Sequence, residues 1–242
     1  MNPSNWSKSA AMLASSVLLS FALPAGASTI YNFACFENCA NLALGAPALL
    51  GAQMSMEVAD YTATGATNDV TFTFRNNVGV ASSITDIYWD TGTSALLASI
   101  GILSQSSGVS FAMGATPPNV PGATNISFTA DLSADSTTPS VAANGIDNSS
   151  ESLTFLATLS AGKTLADVVA SLNSATASDL RVALHVQAIA GQSASFVTGT
   201  GGPPPNGTPE PGSMALVLAG LGGLAWIMRR PKGGVASPAA PI

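Results

Sequence analysis

Hydrophobic and polar positions alternate with period two in four stretches of this chain. Val70, Phe72 and Phe74 fall on one side and Thr71, Thr73 and Arg75 on the other, the pattern of a strand with one buried face. Residues 125–132 repeat it, with Ile126, Phe128, Ala130 and Leu132 against Asn125, Ser127, Thr129 and Asp131. Leu153, Phe155, Ala157 and Leu159 form a third such set, and Val182, Leu184, Val186 and Ala188 a fourth. Weaker strand patterns run over 54–62, 84–89 and 195–198. Helical spacing occurs once, in Leu165, Val168, Val169 and Leu172, with Thr164 and Asp167 in a capping arrangement at its start. Turn residues separate the strands at 76–79, 116–119 and 142–145. The pattern predicts an all-β domain over 28–199, a two-sheet antiparallel β-sandwich, jelly-roll-like, with one short helix covering an end or face.

The two ends follow other rules. Lys8, the apolar stretch 9–23, Pro24 and the small-residue site Ala25-Gly26-Ala27 have the order of a secretory signal peptide, residues 1–27, with cleavage leaving Ser28 first. At the other end, a Gly/Pro linker over 200–208 leads into Pro209, Glu210 and Pro211. Residues 212–228 then carry no charge, which is just long enough for a single transmembrane helix. Arg229, Arg230 and Lys232 follow at once, so the positive-inside bias places 233–242 as a cytoplasmic tail and the body on the far side.

A Pro-Glu-Pro motif, a short apolar helix and an Arg-rich cluster at the C-terminus resemble the PEP-CTERM sorting signal, here residues 209–232. Pro209, Glu210 and Pro211 match the motif, and Arg229 and Arg230 its basic end. Residues 70–90 and 180–197 also resemble segments of proteins bearing this signal. The resemblance implies an exported protein of a Gram-negative bacterium, delivered by the secretion translocon and anchored transiently in the inner membrane. An exosortase-type processing enzyme would read and remove the tail, leaving the protein at the cell surface or in an extracellular polysaccharide matrix.

Charge sharpens this picture. Charged residues make up only 8% of the chain against roughly 25% in typical domains. Three basic and 12 acidic side chains between 28 and 199 leave a net charge of −9. Nucleic acid is excluded as a partner, because phosphate contacts demand clustered Lys and Arg. Cys35 and Cys39 are the only cysteines. An exported chain favours their pairing, provided Glu37-Asn38 turns the chain; free or intermolecular thiols and a metal or redox pair are the alternatives.

Candidate chemistry is sparse. His185 is the single histidine; it shares a strand face with Arg181 and Gln187, and no G-x-S-x-G pentapeptide accompanies it. Asp86, Tyr88, Trp89 and Asp90 are the candidate ligand contacts, since carboxylates beside aromatic rings suit sugars. The bland reading packs Trp89 in the core and leaves the acids at strand ends. Calcium could draw on Asp131, Asp135, Asp147 and Glu151, but no EF-hand-type loop is present. No catalytic residue, resident metal or cofactor is assigned. The leading expectation is a non-enzymatic matrix or surface protein, with a carbohydrate-binding module as the alternative and a secreted hydrolase behind both.

Overall fold

The computed structural model describes residues 28–43, 45–63, 68–174 and 176–198. Eleven strands form within them: β1 (Ser28–Asn32), β2 (Ala34–Glu37), β3 (Met54–Asp60), β4 (Asp69–Asn76), β5 (Ser83–Asp90), β6 (Leu97–Gln105), β7 (Phe111–Met113), β8 (Leu132–Ser136), β9 (Leu153–Leu159), β10 (Arg181–Ile189) and β11 (Gln192–Val197). Three helices, α1 (Ala46–Gln53), α2 (Val141–Asn144) and α3 (Leu165–Ser174), punctuate them. A five-stranded sheet runs β1-β3-β4-β9-β6 and a six-stranded sheet β2-β11-β10-β5-β8-β7. Their ladders are antiparallel.

The inner faces meet in one core. Val70, Phe72 and Phe74 of β4 and Leu153, Phe155 and Ala157 of β9 face Ile87 and Trp89 of β5 and Val182, Leu184 and Val186 of β10. Trp89 is the largest buried side chain, edge-to-face with Phe74 at 5.9 Å and with Phe155 at 4.8 Å between ring centroids. Such pairs add to the hydrophobic gain of burying the rings. The indole Nε1 has no hydrogen-bond partner.

The connection from β1 to β2 crosses between the sheets, and α1 covers it: Phe33 N donates to Gly51 O at 3.2 Å. A Cβ at position 51 would lie 2.2 Å from Phe33 O, so only glycine permits this approach. The far end of α1 is held by a buried amide network, with Gln53 Nε2 donating to Asn76 Oδ1, Val80 O and Ser82 Oγ while Gln53 Oε1 accepts from Gly79 N and Val80 N. That network satisfies the turn after β4. On α3 the capping arrangement forms, with the Thr164 amide and hydroxyl both donating to Asp167 Oδ2 at 2.8 Å. These bonds, the hydroxyl's foremost, hold the exposed Asp167 carboxyl below its usual range.

Three expectations change. Residues 125–132 do not form a strand: Ala123–Ile126 is a 3-10 helix and Ser127 is left-handed, so β8 begins only at Leu132. The alternation there comes from a covering segment whose Phe128 turns inward to a second cluster. Residues 142–145 are not a simple turn, because 142–144 belong to α2. There is also more than one helix. Among the described residues no helix is long and apolar enough to cross a membrane; the signal segment 1–27, the linker and the sorting signal 209–232 lie outside the described residues.

Trp89→Ala is expected to destabilise the domain by about 3–5 kcal/mol, the cost of emptying an aromatic core site. Urea unfolding checks it, and a loss below 1 kcal/mol, roughly that of a surface change, would place the indole outside the core.

Candidate functional site

Strand β5 is buried on both faces, because residues 114–131 fold back over the outer face of the six-stranded sheet. Under this flap, Tyr88, Val120, Ala123, Phe128, Ala183 and Val197 make a second, smaller core. Around it the chain gathers most of its candidate chemistry.

Cross-strand register sets the rows. Glu37, Ser195, His185, Asp86 and Asp135 are successive partners from β2 to β8. One row along, Val197, Ala183, Tyr88 and Ser133 are aligned, and beyond them Arg181 faces Asp90. The sequence reading of His185 on the face of Arg181 and Gln187 therefore locates it on the outer side.

Arg181 and Asp90 form a buried ion pair, with side chains 2% and 6% exposed. Arg181 also donates to Ile126 O at 2.8 Å and Ser127 O at 2.6 Å, and its guanidinium lies 5.2 Å from the centroid of the Phe128 ring. Asp90 accepts from Gly92 N at 3.0 Å and Thr129 N at 3.2 Å. Three of these bonds and the cation–π contact thus tie the second leg of the flap to β5 and β10. Its tip rests on β2, where Asn125 Nδ2 donates to Glu37 Oε2 at 2.6 Å. Gly122 is needed there, since its φ is +79° and a Cβ would meet Glu37 at 2.5 Å.

The first leg is held by Asp86, Tyr88 and Asp135. The Tyr88 hydroxyl is 3.1 Å from Pro117 O and 3.4 Å from Asp86 Oδ1. Asp86 Oδ2 accepts from Thr85 Oγ1 at 2.7 Å and lies 3.2 Å from His185 Nδ1. Asp135 hydrogen-bonds Asp86 and accepts from the Thr116 backbone. Burial first, then the facing Asp86 carboxylate, raises the Asp135 pKa above its ordinary value. Burial, followed by the same two carboxylates, pushes the Tyr88 phenol up as well.

None of the four candidate ligand contacts is open to solvent: Tyr88 and Trp89 are fully buried, Asp86 is 3% exposed and Asp90 4%. Trp89 lies on the opposite face of β5 from the other three, so the structure does not bring the set together as a sugar platform. The hydrolase reading fares differently. Ser195, His185 and Asp86 do stand in a row, yet no hydrogen bond joins Ser195 to His185, and Ser195 Oγ is sealed without a partner. A nucleophile needs both its base and access. Asp86 and Asp135 are paired carboxylates, but they bond to each other instead of flanking an open cleft at about 5 Å or more.

Two of the acids considered for calcium, Asp131 and Glu151, serve turns. Asp131 Oδ2 accepts from Thr91 N and Oγ1, and Glu151 Oε2 from the amides of Asp147 and Asn148. Among the described residues no three His, Cys, Asp or Glu side chains are grouped to hold a metal ion. Cys35 and Cys39 are disulfide-bonded, with Cα atoms 5.9 Å apart. Asn38, left-handed at φ 59°, makes the turn that a strand would forbid.

Sequence reasoning found Asp86, Asp90 and His185 but missed the roles of Arg181 and Asp135. The signal for Arg181 was available: it is one of three cations in the body and sits inside an otherwise uncharged strand.

Arg181→Met is expected to cost about 3–5 kcal/mol by stranding Asp90, and Arg181→Met/Asp90→Leu to recover most of it; denaturant unfolding of the cycle reads both. A double variant that loses the sum of the Arg181→Met and Asp90→Leu losses would mean that the charges are not coupled. Because the folded-state pKa of Asp135 is raised, the folded protein holds more protons than the unfolded chain above the ordinary carboxylate range. Stability contributed there falls as pH rises through that window. Asp135→Asn is expected to flatten the fall and to gain on the wild type toward neutral pH, as unfolding midpoints across a pH series would show.

Set against protein-family models, curated proteins and solved structures, the chain matches none of them.

Proposed function

We propose that this protein is a non-enzymatic exported protein, sorted and cut at its C-terminal signal, and held at the cell surface or released into an extracellular polysaccharide matrix. The observation that carries this reading is the order of Pro209-Glu210-Pro211, the uncharged run 212–228 and the cluster Arg229, Arg230, Lys232. An exosortase-type enzyme, the secretion translocon and, transiently, the inner membrane are the partners it requires. The jelly-roll-like form of the sandwich belongs to the same reading.

Three structural features support it. A bonded Cys35–Cys39 pair suits an oxidising compartment. The described strand β1, Ser28–Asn32, lies wholly after the expected cleavage site, so a body starting at Ser28 keeps this ladder with β3. The chemistry-bearing side chains of the body are engaged in holding the flap, which favours a scaffold over an enzyme. The carbohydrate-binding alternative loses the residues on which it rested, because Tyr88, Trp89 and Asp86 are buried.

Intact mass spectrometry of the chain from a host with the processing enzyme is expected to show a product lacking 212–242. Replacing Pro209 and Glu210 with alanine should restore the full C-terminus. A wild-type chain still ending at Ile242 in that host would make 212–228 a permanent anchor and overturn the proposal.

A further inference from the structure

The two sides of the sandwich are finished differently. Where β1 and β2 end their sheets, α1 and the disulfide-closed turn cover the gap, with Asn32 Nδ2 donating to Ala52 O and Met54 O at 3.0 Å. On the opposite side β6 and β7 end their sheets, and neither is paired on its outer edge among the described residues. Unpaired edges present a row of free N–H and C=O groups, which proteins guard with Lys, Pro or bulges. Strand β6 has two bulges, at Ala98 and Leu103, but no charge and no proline. Residues 99–102 between the bulges keep a regular ladder with β9.

Three further observations converge on this side. Of the three large hydrophobic side chains exposed among the described residues, Leu103 (40%) is on β6 and Met113 (42%) on β7. No residue between Asp90 and Asp131 is charged, although the body carries a net −9. Gly101 has no requirement for glycine within its own chain, because a Cβ there would meet nothing within 4 Å and its φ is not positive. Glycine in a strand suits close approach by another backbone.

We infer that the β6–β7 side is an interface between two copies of this chain. The copies pair antiparallel through residues 100–102 about a two-fold axis at Gly101, which places the two copies of residue 101 opposite each other on one face, extends one five-stranded sheet into the other and covers Leu103 and Met113. An isologous contact requires a self-complementary patch. Two acidic molecules repel wherever their carboxylates face, and neither edge strand on this side carries a charged side chain. The assembly goes beyond the sorting proposal and is independent of it: intact mass reads tail processing, whereas oligomeric state reads this interface.

Sedimentation velocity of the exported chain in mild detergent, over a concentration series, tests it. The wild type is expected to dimerise with concentration, and Leu103→Lys/Met113→Lys to dimerise at least about tenfold more weakly. Leu49→Lys, on the exposed face of α1 at the other side, should match the wild type. Near-UV circular dichroism from buried Trp89 confirms that each variant is folded. As a second readout that leaves Leu103 and Met113 intact, Gly101→Cys is expected to form a disulfide-linked dimer on oxidation. A wild type that stays monomeric, a double-lysine variant that dimerises as tightly, or no cross-link through position 101 would overturn the inference.

Discussion

A buried ion pair organises the outer half of this molecule. Taking Arg181 and Asp90 out of water costs several kcal/mol per ion unless their remaining donors and acceptors are met. Here most are met by one segment: Ile126 O and Ser127 O on the guanidinium, Thr129 N on the carboxylate, and the Phe128 ring beneath the cation. The charges therefore cannot stay buried unless the flap stays down. With the flap in place, Tyr88 and Val197 lose solvent, and Asp86 is left to share a confined space with Asp135 and His185. The raised Asp135 pKa is a consequence of that closure rather than a sign of catalysis.

Scarcity of charge explains why so few contacts carry so much. With 8% charged residues, the domain has few ion pairs available and meets its polar needs with amides and hydroxyls, as in the Gln53–Asn76–Ser82 network. Those groups bond well when buried and satisfied. They also leave surfaces with little electrostatic repulsion to keep copies apart, and that is where the open β6–β7 side becomes relevant.

Strands with one wetter face were legible in the sequence, as β4 and β9 show, because period-two alternation follows directly from a half-buried sheet. The same rule misread residues 125–132, where alternate apolar positions press a flap onto a sheet without entering a ladder. Strand β5 gave a weak signal since the flap buries its second face. In β6 the bulges at Ala98 and Leu103 break the period, and β1, β2 and β7 are too short to establish one. Helix α1 was hidden for another reason: Ala46–Gln53 is apolar all round, so it has no amphipathic stripe, and Gly45 gives its start no side-chain cap. At the site, His185 could be assigned to a face, but its partner Asp86 lies 99 positions away. Only the strand order brings them together.

Native-state hydrogen exchange of the flap tests this account most directly. If residues 114–131 are part of the cooperative fold, the amides of Phe128 and Thr129, bonded to Ala123 O and Asp90 Oδ2, should exchange only through global unfolding, as slowly as those of β4 and β9. Exchange of these two amides at the rate of an exposed loop, while the sheets stay protected, would show that the flap opens without unfolding. The buried pair would then not be the constraint on which the outer face depends.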